Sequence, residues 1–189
     1  MRWLIVGTIP NHGFPFYHGP CRLEGDRLRL GELDVPVHRG TPALLAAACA
    51  ASRVLGTEAP QALLAGDIGH GLGSLRIYEH LAQSFDFSST ELLVFHYLQP
   101  DVDWHNRVTI AMEECDPRPM LIADAGFMYV AKMSGFAASY DLFTPDAGEI
   151  ALPHAHRSAI MEIAHLVGVK AHHRRGWRPM VRRGRQNWA

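Results

Sequence analysis

The stretch QALLAGDIGHGLGSLRIYEHLAQ, residues 61–83, decides how the rest of the chain is read. It opens on a short apolar run bounded by polar and turn-forming residues, which predicts a buried strand over 61–65. It then turns through GDIGHGLGS, residues 66–74, into a helix over 74–83. Gly66, Gly69, Gly71 and Gly73 let the backbone approach a ligand closely, and the following helix offers N–H groups to an anion. The spacing matches neither G-x-G-x-x-G nor G-x-x-x-x-G-K-[ST]. A tight strand-to-helix turn capped by Asp67 accounts for the same residues equally well.

Outward from this unit the pattern repeats. Apolar runs at 3–8, 91–97, 120–124 and 141–144 read as further buried strands. Thr41 reads as an N-cap with Pro42 at the first helical position, opening an Ala-rich helix that Gly56 closes. That helix is apolar all round, which predicts burial on most sides. A third helix spans 102–115 with Asp101 as its cap, and a shorter one spans 127–133. Strands near 62, 92, 120 and 141, roughly every 20 to 30 residues, give the rhythm of βαβ units. The expected fold is therefore a three-layer αβα with a mostly parallel sheet. Residues 20–37 alternate apolar and polar and break at Gly25 and Gly31, which suggests a small antiparallel hairpin or flap.

Composition narrows the class. Of 189 residues 48% are apolar and 20% charged, the balance of a globular chain, and the apolar runs are too short to span a bilayer. The first residues, MRWLIVGTIP, read as a strand and not as a signal peptide. Cys21, Cys49 and Cys115 are scattered with no C-x-x-C, so a reduced, cytoplasmic protein is the simplest reading. Residues 153–189 hold eight Lys or Arg and one acid, Glu162, of the chain's 18 basic and 19 acidic residues. This shift suggests a boundary.

In parallel α/β sheets ligands bind beyond the carboxyl ends of the strands, and polar residues collect there in this chain. Asp67 follows the strand at 61–65. His96, Asp101, Asp103, His105 and Asn106 follow the next, in a pattern that capping by Asp101 and an exposed helix start also explain. Asp124 stops an apolar run and needs a partner if buried. Asp146 and Glu149 follow 141–144 in TPDAGE, where they either cap a helix or face a ligand, holding a metal-bound phosphate through water. Four clusters at one sheet edge predict a ligand crevice. The twelve histidines form no H-E-x-x-H, no Ser sits in G-x-S-x-G, and Cys49 reads as a packing residue.

Taken in order, GDIGHGLGS, LIADAGF and LFTPDAGEIA resemble the ribokinase-like superfamily over residues 1 to about 151. The branch most similar contains NAD(P)H-hydrate dehydratases and proteins described as sugar or carbohydrate kinases. The resemblance implies ATP or ADP with Mg2+ as cofactors, and phosphoryl transfer to the hydroxyl of a small-molecule substrate. ADP- or ATP-driven dehydration of hydrated NAD(P)H is its alternative. It also implies substrate or nucleotide contacts from Gly40 and Thr41 in RGTPALLAAA, from Gly66, Asp67, Gly69 and Gly71, and from Asp124 and Asp146. Glu149 matches the family glutamate that organises Mg2+ through water. Asp146 stands where the kinases have Asn and the dehydratases have His.

The family's Gly-x-Gly-Asp element, which carries the anion hole and catalytic base, is not found after Glu149. Those parts supply most of the catalysis in phosphoryl transfer, so an inactive chain that retains a partial binding pocket is the reading of another class. The expected division is a ribokinase-like part over 1–151 and a divergent basic tail over 152–189. Beyond Gly168 the tail's composition resembles a coding sequence read in the wrong frame, and disorder is expected there. A membrane is not expected as a partner, Trp177 and Trp188 among arginines are a weak pointer to nucleic acid, and a homo-oligomer is compatible with the sequence.

Overall fold

The computed structural model describes residues 1–124 and 126–144. In chain order the strands are β1 (Trp3–Ile9), β2 (Tyr17–Glu24), β3 (Arg27–Leu30), β4 (Leu33–Pro36), β5 (Gln61–Gly66), β6 (Leu92–His96), β7 (Met120–Asp124) and β8 (Leu142–Thr144). The helices are α1 (Thr41–Leu55), α2 (Leu72–Gln83), α3 (Val102–Glu113) and α4 (Phe127–Met133). A run such as WLIVGTI has no polar face, so β1 must be covered on both sides. It lies inside the sheet, between β5 and β6 and parallel to both.

The sheet order is β4-β3-β2-β5-β1-β6-β7-β8. From β5 to β8 all strands are parallel, while β2, β3 and β4 form an antiparallel meander joined to β5. The chain leaves β1 toward β5, then returns past β1 to β6. The reversal places a topological switch point between β1 and β6, where the connecting segments diverge to opposite faces and open a crevice.

Side-chain alternation builds the two faces. Ile5, Ala62, Leu64 and Val94 point toward α1, where they meet Leu45, Cys49 and the meander's Cys21, Leu28 and Leu30. Leu4, Val6, Leu63 and Phe95 point the other way, onto Ile77 and Tyr78 of α2, Met112 of α3 and Phe127 of α4. Among the described residues the result is an α/β fold with helices on both faces of an eight-stranded, mostly parallel sheet. No helix among the described residues is long and apolar enough to cross a membrane.

Two expectations need correction. The α1 helix is not buried on most sides: Thr41, Pro42, Leu45, Ala46, Cys49 and Ser52 make one buried face, while Val54 is 87% exposed. Alanine is cheap in either environment, so an Ala-rich helix hides its amphipathicity in composition. The N-cap of α1 is Gly40, and Thr41 is the first helical residue with its side chain turned inward. The antiparallel hairpin expected over 20–37 is present, turning at Gly25 and Gly31, and pairing of Tyr17–Pro20 with β5 makes it one wing of the main sheet. Asp101 caps α3 as expected, accepting from the Trp104 N–H at 3.0 Å.

Candidate functional site at the carboxyl ends of the strands

Register puts four residues abreast. Gly7 of β1 pairs with His96 of β6, His96 with Asp124 of β7, and Asp124 with Thr144 of β8. Parity along each strand turns this row toward the α1 face. Three of the four are polar and sit at the last position of their strands, beyond the apolar rows formed by Ile5, Val94 and Ile122.

The gap left by Gly7 is filled from above. A Cβ there would lie 2.5 Å from the His96 carbonyl oxygen and 2.8 Å from the Thr41 side chain, so only glycine lets α1 start this close to the sheet. Thr41, 1% exposed, places its hydroxyl 2.9 Å from His96 Nδ1. His96 Nε2 is 3.7 Å from Asp124 Oδ2, and Thr144 donates to Asp124 Oδ1 at 2.7 Å. Thr41, His96, Asp124 and Thr144 thus form one polar chain across the switch point.

Burial pushes the His96 imidazole below its usual range, and the Asp124 carboxylate pulls it partly back. A neutral ring with Nε2–H facing Asp124 and Nδ1 accepting from Thr41 gives every member a partner. Asp124 and the exposed Thr144 reach the crevice, with 27% of the Asp124 side chain exposed against 7% for His96. A carboxylate oriented by a hydroxyl and an imidazole can accept a proton or hydrogen bond from a substrate hydroxyl. Next in the chain, Tyr97 adopts φ 51, rare for a residue with a Cβ, and its carbonyl accepts from the Thr8 hydroxyl. Half of the Tyr97 side chain is exposed, and its ring stands edge-on to His96.

Part of the glycine-rich turn's donor set is used internally. Asp67 accepts from the N–H groups of Gly69, Gly71 and Ser74 at 2.9 to 3.0 Å, and from the Ser74 hydroxyl at 3.0 Å. Burial works against its charge, but these bonds hold the carboxyl below its ordinary value. The protein's own carboxylate fills this part of the turn. Gly66 serves packing: a Cβ on it would fall 2.2 Å from the Asn11 carbonyl oxygen. The capping explanation of Asp67 therefore holds, and Gly66, Asp67, Gly69 and Gly71 form a braced turn at the rim.

Other candidates separate. His105 lies inside the core of the opposite face, its Nε2 2.8 Å from the Tyr140 hydroxyl, so His96 and His105 never share a site. Gly40 packs beside the Tyr97 ring at the crevice. Asp146 and Glu149 lie outside the described residues. Sequence reasoning underrated His96 because it grouped His96 with its chain neighbours; its true neighbours are one strand away, and register alone reveals them.

On the far side of the α1 start, a cavity of about 540 Å³ opens between the loop after β1, β4 and α1. Its walls include Ile9, Phe14, Val35 and Pro42, with His38 and Arg39 exposed at the mouth. That is the size of a small-molecule pocket. Among the described residues no three His, Cys, Asp or Glu side chains gather as a metal site.

No protein-family profile matches the chain, and no solved structure matches it. The uncharacterized protein MJ1337 of Methanocaldococcus jannaschii is 40% identical over 86 residues, which cover 46% of this chain and 32% of that protein. The matched region is therefore about a third of that relative's length.

Proposed function

We propose that this chain binds a small hydroxyl-bearing substrate at the carboxyl ends of β1, β6 and β7, as the acceptor half of a ribokinase-like phosphotransfer site. The observation that carries the reading is the row His96–Asp124–Thr144, a partly exposed carboxylate held from both sides where a parallel sheet opens. Asp124 receives the substrate hydroxyl, and His96 and Thr144 orient the carboxylate. ATP or ADP with Mg2+ belongs to this proposal through the motif resemblance, with Asp146 and Glu149 as the residues to test. Phosphorylation of a sugar-like hydroxyl is the first reaction to assay. Dehydration of hydrated NAD(P)H is the alternative, since it too begins by phosphorylating a hydroxyl.

The test is thermal unfolding of the full chain with sugars, small polyols and hydrated NAD(P)H, each with and without Mg-ATP or Mg-ADP. A cognate ligand at about a hundred times its dissociation constant stabilises by roughly 3 kcal/mol. The reading expects that gain to vanish in Asp124→Asn. Nucleotide turnover with the same ligand separates an enzyme from a silent binding protein. If no hydroxyl-bearing ligand stabilises the chain, or if Asp124→Asn leaves the gain intact, the reading fails.

A further inference from the structure

Cys21 and Cys49 are far apart in the chain, and the fold brings their sulfurs to 3.6 Å. Cys21 lies in β2 opposite Leu30, and Cys49 lies on the buried face of α1. The Cys49 sulfur is also 3.3 Å from the Cys21 carbonyl oxygen, so the thiols are in direct contact. A cavity of about 370 Å³ opens onto both, walled by Arg22, Ser52, Arg53 and Thr57. Cys21 has no exposed surface, while Cys49 keeps 5%. Both cysteines line the cavity, and Cys49 is the more exposed of the two. Reactive and resolving thiols are placed in this way.

The two thiols also differ in acidity. The contact with Cys21 holds the Cys49 thiol below an ordinary cysteine, against the opposing effect of burial and with help from Arg53. That same contact, together with burial, pushes Cys21 up. The thiolate, not the thiol, is the nucleophile.

We propose that Cys21 and Cys49 form a reversible disulfide tying β2 to α1, made by a peroxide that enters through the cavity beside Arg53. The Cys49 thiolate attacks one peroxide oxygen, the O–O bond breaks, and hydroxide leaves, giving a sulfenic acid at Cys49. The Cys21 thiol loses its proton and attacks that sulfur, forming the S–S bond and expelling the second hydroxide. In sum, two thiols and one hydrogen peroxide give one disulfide and two waters. Bond formation draws the sulfurs from 3.6 Å to about 2.05 Å.

Cys115 is the internal control. It is half-buried, its sulfur bonded to the Ala111 carbonyl, and it packs against the core on the other face of the sheet. The reduced full chain is treated with a small excess of hydrogen peroxide, quenched, denatured and labelled with N-ethylmaleimide. The expected product carries label on Cys115 alone, shows a crosslinked Cys21–Cys49 peptide, and regains label on all three cysteines after dithiothreitol. Its thermal midpoint rises by about 5 °C or more, as a crosslink closing a loop of this length predicts.

In Cys21→Ser the same treatment leaves a dimedone-reactive sulfenic acid on Cys49. Full labelling of Cys21 and Cys49 after peroxide overturns the proposal. So does a disulfide that includes Cys115, or a dimedone adduct on Cys21 in Cys49→Ser with none on Cys49 in Cys21→Ser. Should Cys21→Ser not fold, the peptide map of the unsubstituted chain decides alone.

Discussion

His96 and Asp124 are register partners at the ends of adjacent parallel strands, and Nε2 of one faces Oδ2 of the other at 3.7 Å. The pair is anchored at both ends, by the Thr41 hydroxyl on Nδ1 and the Thr144 hydroxyl on Oδ1. This relationship places the acidic group of the proposed site at the crevice mouth and its orienting ring behind it. Thr41→Val removes the Nδ1 partner while keeping the side chain's shape against Gly7. It is expected to cost about 1 kcal/mol of stability and to weaken ligand binding less than Asp124→Asn does. Chemical denaturation and ligand titration of both variants measure the difference.

Gly7→Ala tests the close approach of α1. The new methyl meets the backbone of His96, which cannot yield as a flexible side chain would. A loss of about 1–3 kcal/mol or more is expected in urea unfolding. An unchanged midpoint would mean that α1 is not seated on β1 as described.

Asp67→Ala empties the turn's anion position. Three backbone N–H groups and the Ser74 hydroxyl lose their acceptor, at a cost of roughly 2–4 kcal/mol. The vacated cradle then suits an external anion, so inorganic phosphate is expected to raise the thermal midpoint of the variant and not of the unsubstituted chain. Equal responses in both would show that these amides are not the ones that bind. The Asp67 carboxyl is also held low by these bonds in the folded state. Its contribution is present above the unfolded carboxylate range and is lost as pH falls through the lower folded value.

Acid sensitivity should begin at higher pH, with histidine. Burial lowers His105 to about 4 and also depresses His96, His80 and His18. A folded value below the unfolded one means that the unfolded chain takes up protons first. Stability is full above about 6.5 and falls as pH drops from there toward about 4, where His105 protonates in the fold. Across that window His105 alone accounts for roughly 3 kcal/mol. His105→Phe is expected to flatten the slope between these values, even though leaving the Tyr140 hydroxyl without its imidazole partner lowers stability at neutral pH. A slope unchanged by the substitution would place the titration elsewhere.

Much of the architecture was legible from residue pattern. Runs such as WLIVGT and LLVFH admit no polar face, so they announce strands covered on both sides. Gly56 closes α1 with a left-handed cap and Asp101 opens α3 with a side-chain cap, because both act within a few residues of themselves. Local chemistry of this kind is written in local sequence. The polarity of residues 67, 96 and 124 at strand exits was likewise visible as the place where each apolar run stops.

What the chain alone left open were relations between strands. Whether Asp67 faces a ligand or its own turn depends on the path of Gly69, Gly71 and Ser74, and those three amides close on the carboxylate. Whether His96 belongs with His105 or with Asp124 depends on parity and pairing: nine residues along the chain take His105 through the sheet to the opposite core, while one strand spacing brings Asp124 alongside. The meeting of Cys21 with Cys49 rests in the same way on α1 lying across β2. Sequence by itself determined the elements, because hydrophobic period and caps act over a few residues. Tertiary structure decided the site, because strand register and helix placement are set by packing among segments distant in the chain, and a shift of a single residue would turn every one of these side chains to the other face.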